Sequence, residues 1–113
     1  MILIYSTRLA AKLRITNLVR TQTDDTVVIA QTQQDIAELI KTHRPKRVFL
    51  FMPGRVGTAV EIQTYIRAVL PHARVRILPS VNSTDELHPA WREIVLKALK
   101  PRGKRHKTPK KNP

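Results

Sequence analysis

The chain has 113 residues, with 21 Lys/Arg against 8 Asp/Glu and a formal net charge of +13. That length fits one domain, and 42% apolar residues are enough for a single core; without cysteine there is no disulfide framework, thiolate nucleophile or cysteine zinc site. No apolar run approaches the roughly eighteen residues of a membrane span, and Met1–Ser6 lacks the basic n-region of a secretory signal, so a cytoplasmic setting is expected.

Strand-like and helix-like patterns then alternate. Ile2-Leu3-Ile4-Tyr5 is an apolar run of strand length, and Ser6 or Thr7 is placed to cap a helix whose apolar side is expected from Leu9, Leu13 and Leu18/Val19. Thr21 to Asp25 is a polar break, in which Asp24-Asp25 reads better as a turn than as a metal ligand pair. Thr26-Val27-Val28-Ile29-Ala30 is β-branched and uncharged, the pattern of a strand buried on both faces. Thr32 followed by Asp35 forms a capping-box signature, with Ile36, Leu39 and Ile40 at helical spacing and Pro45 as the stop. Val48-Phe49-Leu50-Phe51-Met52 is a third buried strand broken by Pro53-Gly54. Ala59, Ile62, Ile66, Val69 and Leu70 mark the next helix, ended by Pro71.

The segment from Ala73 to Leu78 alternates, with Val75 and Ile77 on one side and Arg74 and Arg76 on the other, so it is expected at a sheet edge or half exposed. Pro89 suits a first helical turn, acids at Asp85-Glu86 suit a helix N-terminus, and Trp91, Ile94/Val95 and Ala98 form the inward stripe of a last helix. Four strand–helix steps imply an α/β fold in three layers, α/β/α, with a four-stranded parallel sheet and right-handed crossovers. The folded body is expected over 1–99. The segment 100–113 carries Lys100, Arg102, Lys104, Arg105, Lys107, Lys110 and Lys111 without an acid or a large apolar anchor, and it reads as a disordered basic tail.

The residues from Ile2 to Ala10 resemble the opening of a response-regulator receiver domain. His43 to Gly57 resembles the receiver's third strand and its proline-glycine loop, Ile66 to Ala73 the end of its third helix, and Leu78 to Leu87 its last loop. The resemblance implies a flavodoxin-like topology, shortened here because the family has five strands and this chain has room for four. It also implies a lost activity. The family's metal-binding acid pair falls on Tyr5 and Ser6, or on Ser6 and Thr7; its phosphoacceptor falls on Phe51 or Leu50, and its late lysine on Ser80. A hard cation needs anionic oxygen ligands, which none of these positions supplies. The resemblance therefore points to a pseudo-receiver, incompetent in phosphoryl transfer and kept as a binding platform.

No other catalytic pattern replaces that site. His43, His72, His88 and His106 are scattered, with neither an i, i+4 metal pair nor an HExxH, and no serine stands in a nucleophile elbow. The chain is read as a non-enzyme without cofactor or metal. Gly54, Arg55, Gly57 and Thr58 follow a buried strand and open a helix, where backbone N–H groups attract anions, although the sequence is neither GxxxxGK[ST] nor GxGxxG and a plain structural turn is the simpler reading.

The charge carries the functional expectation. The seven tail cations are suited to displacing counterions from a phosphate backbone, and Arg14, Arg44, Lys46, Arg47, Arg74 and Arg76 would extend that field if they share a face. Aromatic residues make up only 4%, so no stacking platform for single strands is evident and backbone contact is expected over base reading. Two functions stand against each other: a nucleic-acid-binding accessory protein, for DNA or RNA, and a protein-interaction adaptor, homodimeric or with another partner, in which the edge strand is used and the tail is secondary.

Overall fold

In the computed structural model, which describes residues 1–81 and 86–100, four strands and four helices alternate strictly. They are β1 (Ile2–Ser6), α1 (Leu9–Gln22), β2 (Val27–Ile29), α2 (Gln33–His43), β3 (Arg47–Phe51), α3 (Val56–Val69), β4 (Arg74–Ile77) and α4 (Trp91–Leu99). All pairings are parallel, in the order β2-β1-β3-β4, which is a flavodoxin-like arrangement. Right-handed crossovers from that order place α1 on one face and α2 and α3 on the other.

The side chains confirm two cores separated by the sheet. Ile2, Ile4, Phe49, Phe51 and Leu78 pack under Ala11, Ile15, Leu18 and Val19 of α1 and Trp91, Val95 and Ala98 of α4. The alternate residues Leu3, Tyr5, Val48, Leu50 and Val75 pack under Ile36 and Ile40 of α2 and Ala59, Ile62 and Ile66 of α3. Central strands β1 and β3 are apolar on both sides because both faces are covered.

Local chemistry sets the boundaries. Thr32 Oγ1 accepts from the Asp35 amide at 3.3 Å while Asp35 Oδ2 accepts from the Thr32 amide at 3.1 Å, so the expected capping box starts α2. Arg44, in left-handed conformation with φ 49°, ends it ahead of Pro45. The Arg55 amide donates to the Met52 carbonyl at 3.0 Å and Gly54 has φ 78°, the geometry of a type II turn with proline and glycine at its central positions.

Several expectations are corrected, among them the cap of α1, whose N-cap is Arg8 and not Ser6 or Thr7. β2 is an edge strand and all three of its residues are half-buried, not enclosed on both faces. In α1, Leu9 and Leu13 are 68% and 54% exposed; the inward face is Ala11, Ile15, Leu18 and Val19, and it brings Lys12 and Thr16 inside with it. A four-residue step from Leu9 to Leu13 is equally helical but lies on the opposite side, and only the buried neighbours distinguish the two phases. Glu86 lies ahead of α4, whose first-turn acid is Glu93; Asp85 falls outside the described residues. Pro89 stands in the turn just before α4, where the Trp91 amide donates to the His88 carbonyl at 2.8 Å.

Candidate nucleic-acid interface

A parallel sheet with helical crossovers has two unlike ends. Every helix begins near the carboxyl ends of the strands and finishes near their amino ends. The loops entering β3 and β4 therefore lie at the amino end, and they carry Arg44, Lys46, His72 and the start of β4 at Arg74. Arg44, Lys46, Arg47 and Arg74 line one depression of about 350 Å³, with Pro45 and Leu70 among its apolar lining. Arg44 and Lys46 are exposed, and neither makes an ion pair among the described residues.

Arg47 has a structural task. Its Nε donates to the Ala98 carbonyl at 2.8 Å and its Nη1 lies 3.7 Å from Asp25 Oδ2, while Asp25 Oδ1 lies 3.4 Å from the N-terminal ammonium. Asp25 is thus an electrostatic anchor at the amino end, a role its local sequence does not announce. The Arg47–Ala98 bond also fixes the end of α4 beside the depression. Lys100, the first cation of the basic segment, caps α4 there; Arg102, Lys104, Arg105, Lys107, Lys110 and Lys111 lie outside the described residues.

Each helix carries a basic residue in its last turn: Arg20 in α1, Lys41 and His43 in α2, Arg67 in α3 and Lys97 in α4. Arg20, Lys41, Arg67 and Lys97 complement the negative ends of the helix dipoles, which is sufficient structural reason for them. Arg44 is the C-cap of α2, and together with Lys46 and Arg74 it concentrates charge at the end where the basic segment begins. Two expected members fall elsewhere. Arg76 is exposed on edge strand β4, away from the depression, and Arg14 lies 5.4 Å from the ring centre of Trp91 on the α1–α4 face.

At the opposite end, the expected anion loop divides. Arg55 and Pro53 line a second depression with Tyr5, Ser6, Thr7 and Arg8. Gly54 shapes the turn, whereas Gly57 and Thr58 belong to the first turn of α3 and do not line it. Sequence reasoning missed Arg8 and Lys12, which also line it; a lysine among Ala11, Ile15 and Val19 is the signal that could have found it. Phe51 is fully buried beneath α1 and α4. Among the described residues, no three His, Asp or Glu side chains converge as a metal site would require, and no helix is long and apolar enough to cross a membrane. No protein-family model matches the chain, and neither a curated protein nor a solved structure matches it.

Proposed function

We propose that this chain is a non-enzymatic nucleic-acid-binding accessory protein of the cytoplasm, a pseudo-receiver whose scaffold has uncharged side chains where phosphoryl-transfer chemistry would need carboxylates. One observation supports the reading above the rest: Arg44, Lys46 and Arg74 surround a single depression at the sheet end where α4 passes into the seven-cation segment. Cations so placed neutralise phosphates without reading bases, so binding to DNA and RNA duplexes should be strongly salt-dependent and weakly sequence-dependent.

The test is fluorescence anisotropy with labelled DNA and RNA duplexes across a salt series. Seven tail contacts give a log–log slope near −6, from about 0.9 per phosphate, and removing residues 100–113 should abolish most of it. An affinity unchanged by that removal refutes the tail's role. The adaptor reading draws on β4, whose outer edge is unpaired within the sheet, and on exposed Val56, Val60 and Tyr65 of α3. A strict monomer by light scattering over a wide concentration range counts against its homodimeric form.

A further inference from the structure

We propose that the outer surface of the α1–α4 layer is a second polynucleotide-binding face, where Arg14 and Arg92, both held against Trp91, meet phosphates of the strand. The inference rests on the reading of this chain as a nucleic-acid-binding protein, and it adds a surface that the amino-end depression does not include. Its first support is a difference in charge between the two sides of the sheet. The helices on one side, α1 and α4, carry Lys12, Arg14, Arg20, Arg92 and Lys97 against the single acid Glu93, a net charge of +4. Those on the other side, α2 and α3, carry Lys41 and Arg67 against Asp35, Glu38 and Glu61, a net charge of −1. A polyanion is therefore drawn to one layer and not to the other.

Helix dipoles account for only part of the excess. Arg20 and Lys97 stand in last turns, where the dipole favours a cation. Arg14 lies in the middle of α1, and Arg92 lies in the first turn of α4, at the end whose partial positive charge disfavours it. Both are exposed, and neither forms a hydrogen bond or an ion pair among the described residues. Their partner is an aromatic ring. The guanidinium carbons of Arg14 and Arg92 lie 5.4 Å and 5.8 Å from the ring centre of Trp91, which is itself packed in the core that α1 and α4 share. One guanidinium is enough to use the ring's negative face. A second at the same ring brings like charges together, an arrangement that a bound anion relieves.

The ring also sets their geometry. A guanidinium held over a buried ring has given up rotamer freedom before it binds, so less is lost when it meets a phosphate. Its N–H donors stay available in the fork that matches phosphate oxygens. The pair lines a groove of about 370 Å³ with Asn17, Leu18 and Thr21 of α1, and no carboxylate is among the described residues that line it. From Arg92 at this groove, α4 leads past Lys97 to Lys100, where the basic segment starts. That path is about 12 Å long at about 1.5 Å per residue. A linear polymer of phosphates follows it from the groove to the segment, which a lone anion does not.

The test uses the full chain and a labelled duplex of about 20 base pairs at low salt. It has two readouts, the anisotropy of the duplex and the emission of Trp91, the chain's only tryptophan. In the parent, Trp91 emission should change saturably with the same midpoint as the anisotropy, and recover when salt is raised. Arg14→Gln with Arg92→Gln should lower the log–log salt slope by about 1.8 from the value the parent shows, at about 0.9 per contact. Lys41→Gln with Arg67→Gln, the same change of charge on the α2–α3 layer, should leave the slope at the parent's value. The emission readout needs no substitution, so it holds even where a variant folds poorly. A chain that binds no polynucleotide at low salt overturns the underlying reading as well. Binding with constant Trp91 emission, a first double variant with the parent's slope, or equal losses in the two double variants overturns this proposal alone. So does polyglutamate that displaces the duplex and reproduces the Trp91 response at matched charge and ionic strength, since the face would then belong to an acidic protein.

Discussion

Replacing Arg44 by Asn and Lys46 by Gln together removes two exposed cations from the amino-end depression without touching either core. Asparagine is chosen because position 44 has φ 49°, a conformation asparagine tolerates better than most side chains. If the seven tail cations and Arg44, Lys46 and Arg74 all meet phosphates, the full chain should show a log–log salt slope near −9, at about 0.9 per contact. The double variant should lose about 1.8 from that slope. Over a fourfold rise in salt, this makes the variant's loss of affinity about tenfold smaller than the parent's. Anisotropy with a duplex of about 20 base pairs, read at four or more salt concentrations, measures the difference directly. The same decrement should appear when residues 100–113 are absent, since the two groups of cations act on separate phosphates. A double variant with the parent's slope and affinity refutes the claim that the body takes part in binding.

Other substitutions test the packing that holds these ends in place. Thr16 Oγ1 is buried without a hydrogen-bond partner, so Thr16→Val, of the same shape, should stabilise the fold by about 1 kcal/mol in urea denaturation; a loss of stability would mean the hydroxyl is satisfied. The two described glycines should respond with opposite signs. Gly54→Ala forces a left-handed alanine at φ 78° and should cost about 1 kcal/mol, whereas Gly57→Ala has open space for its Cβ inside α3 and should gain about 0.5–1 kcal/mol. Arg76→Val removes an exposed charge from edge strand β4 and should produce concentration-dependent association by light scattering; a variant that stays monomeric at high concentration shows that Arg76 does not guard this edge.

Most elements were legible because their signals are local. Thr32 and Asp35 announce the start of α2, Pro53-Gly54 announces the turn after β3, and the alternation of Val75 and Ile77 with Arg74 and Arg76 announces a strand exposed on one side. What was not legible depends on neighbours far away in the chain. Val27-Val28-Ile29 has the composition of a central strand, but β1 and β3 take the centre and leave β2 at the edge. Leu9 and Leu13 compete with Ala11 and Ile15 for the inward face of α1, and the helix phase that also buries Leu18 and Val19 leaves Leu9 and Leu13 outside. That same choice turns Lys12 inward and makes the carboxyl-end depression cationic. Arg44 and Arg74 stand 30 residues apart in the sequence and line one depression only because β3 and β4 are adjacent and parallel.

The central claim, that nucleic acid engages the amino end of the sheet, is tested most directly by mapping backbone amide shifts in nuclear magnetic resonance spectra of the full chain titrated with a short duplex at low salt. The amides of Arg44 to Arg47, His72 to Arg74 and Lys97 to Lys100 should move together and return as salt is raised. Shifts confined to the Ser6–Lys12 and Pro53–Arg55 end, or no shifts at low ionic strength, would contradict the account.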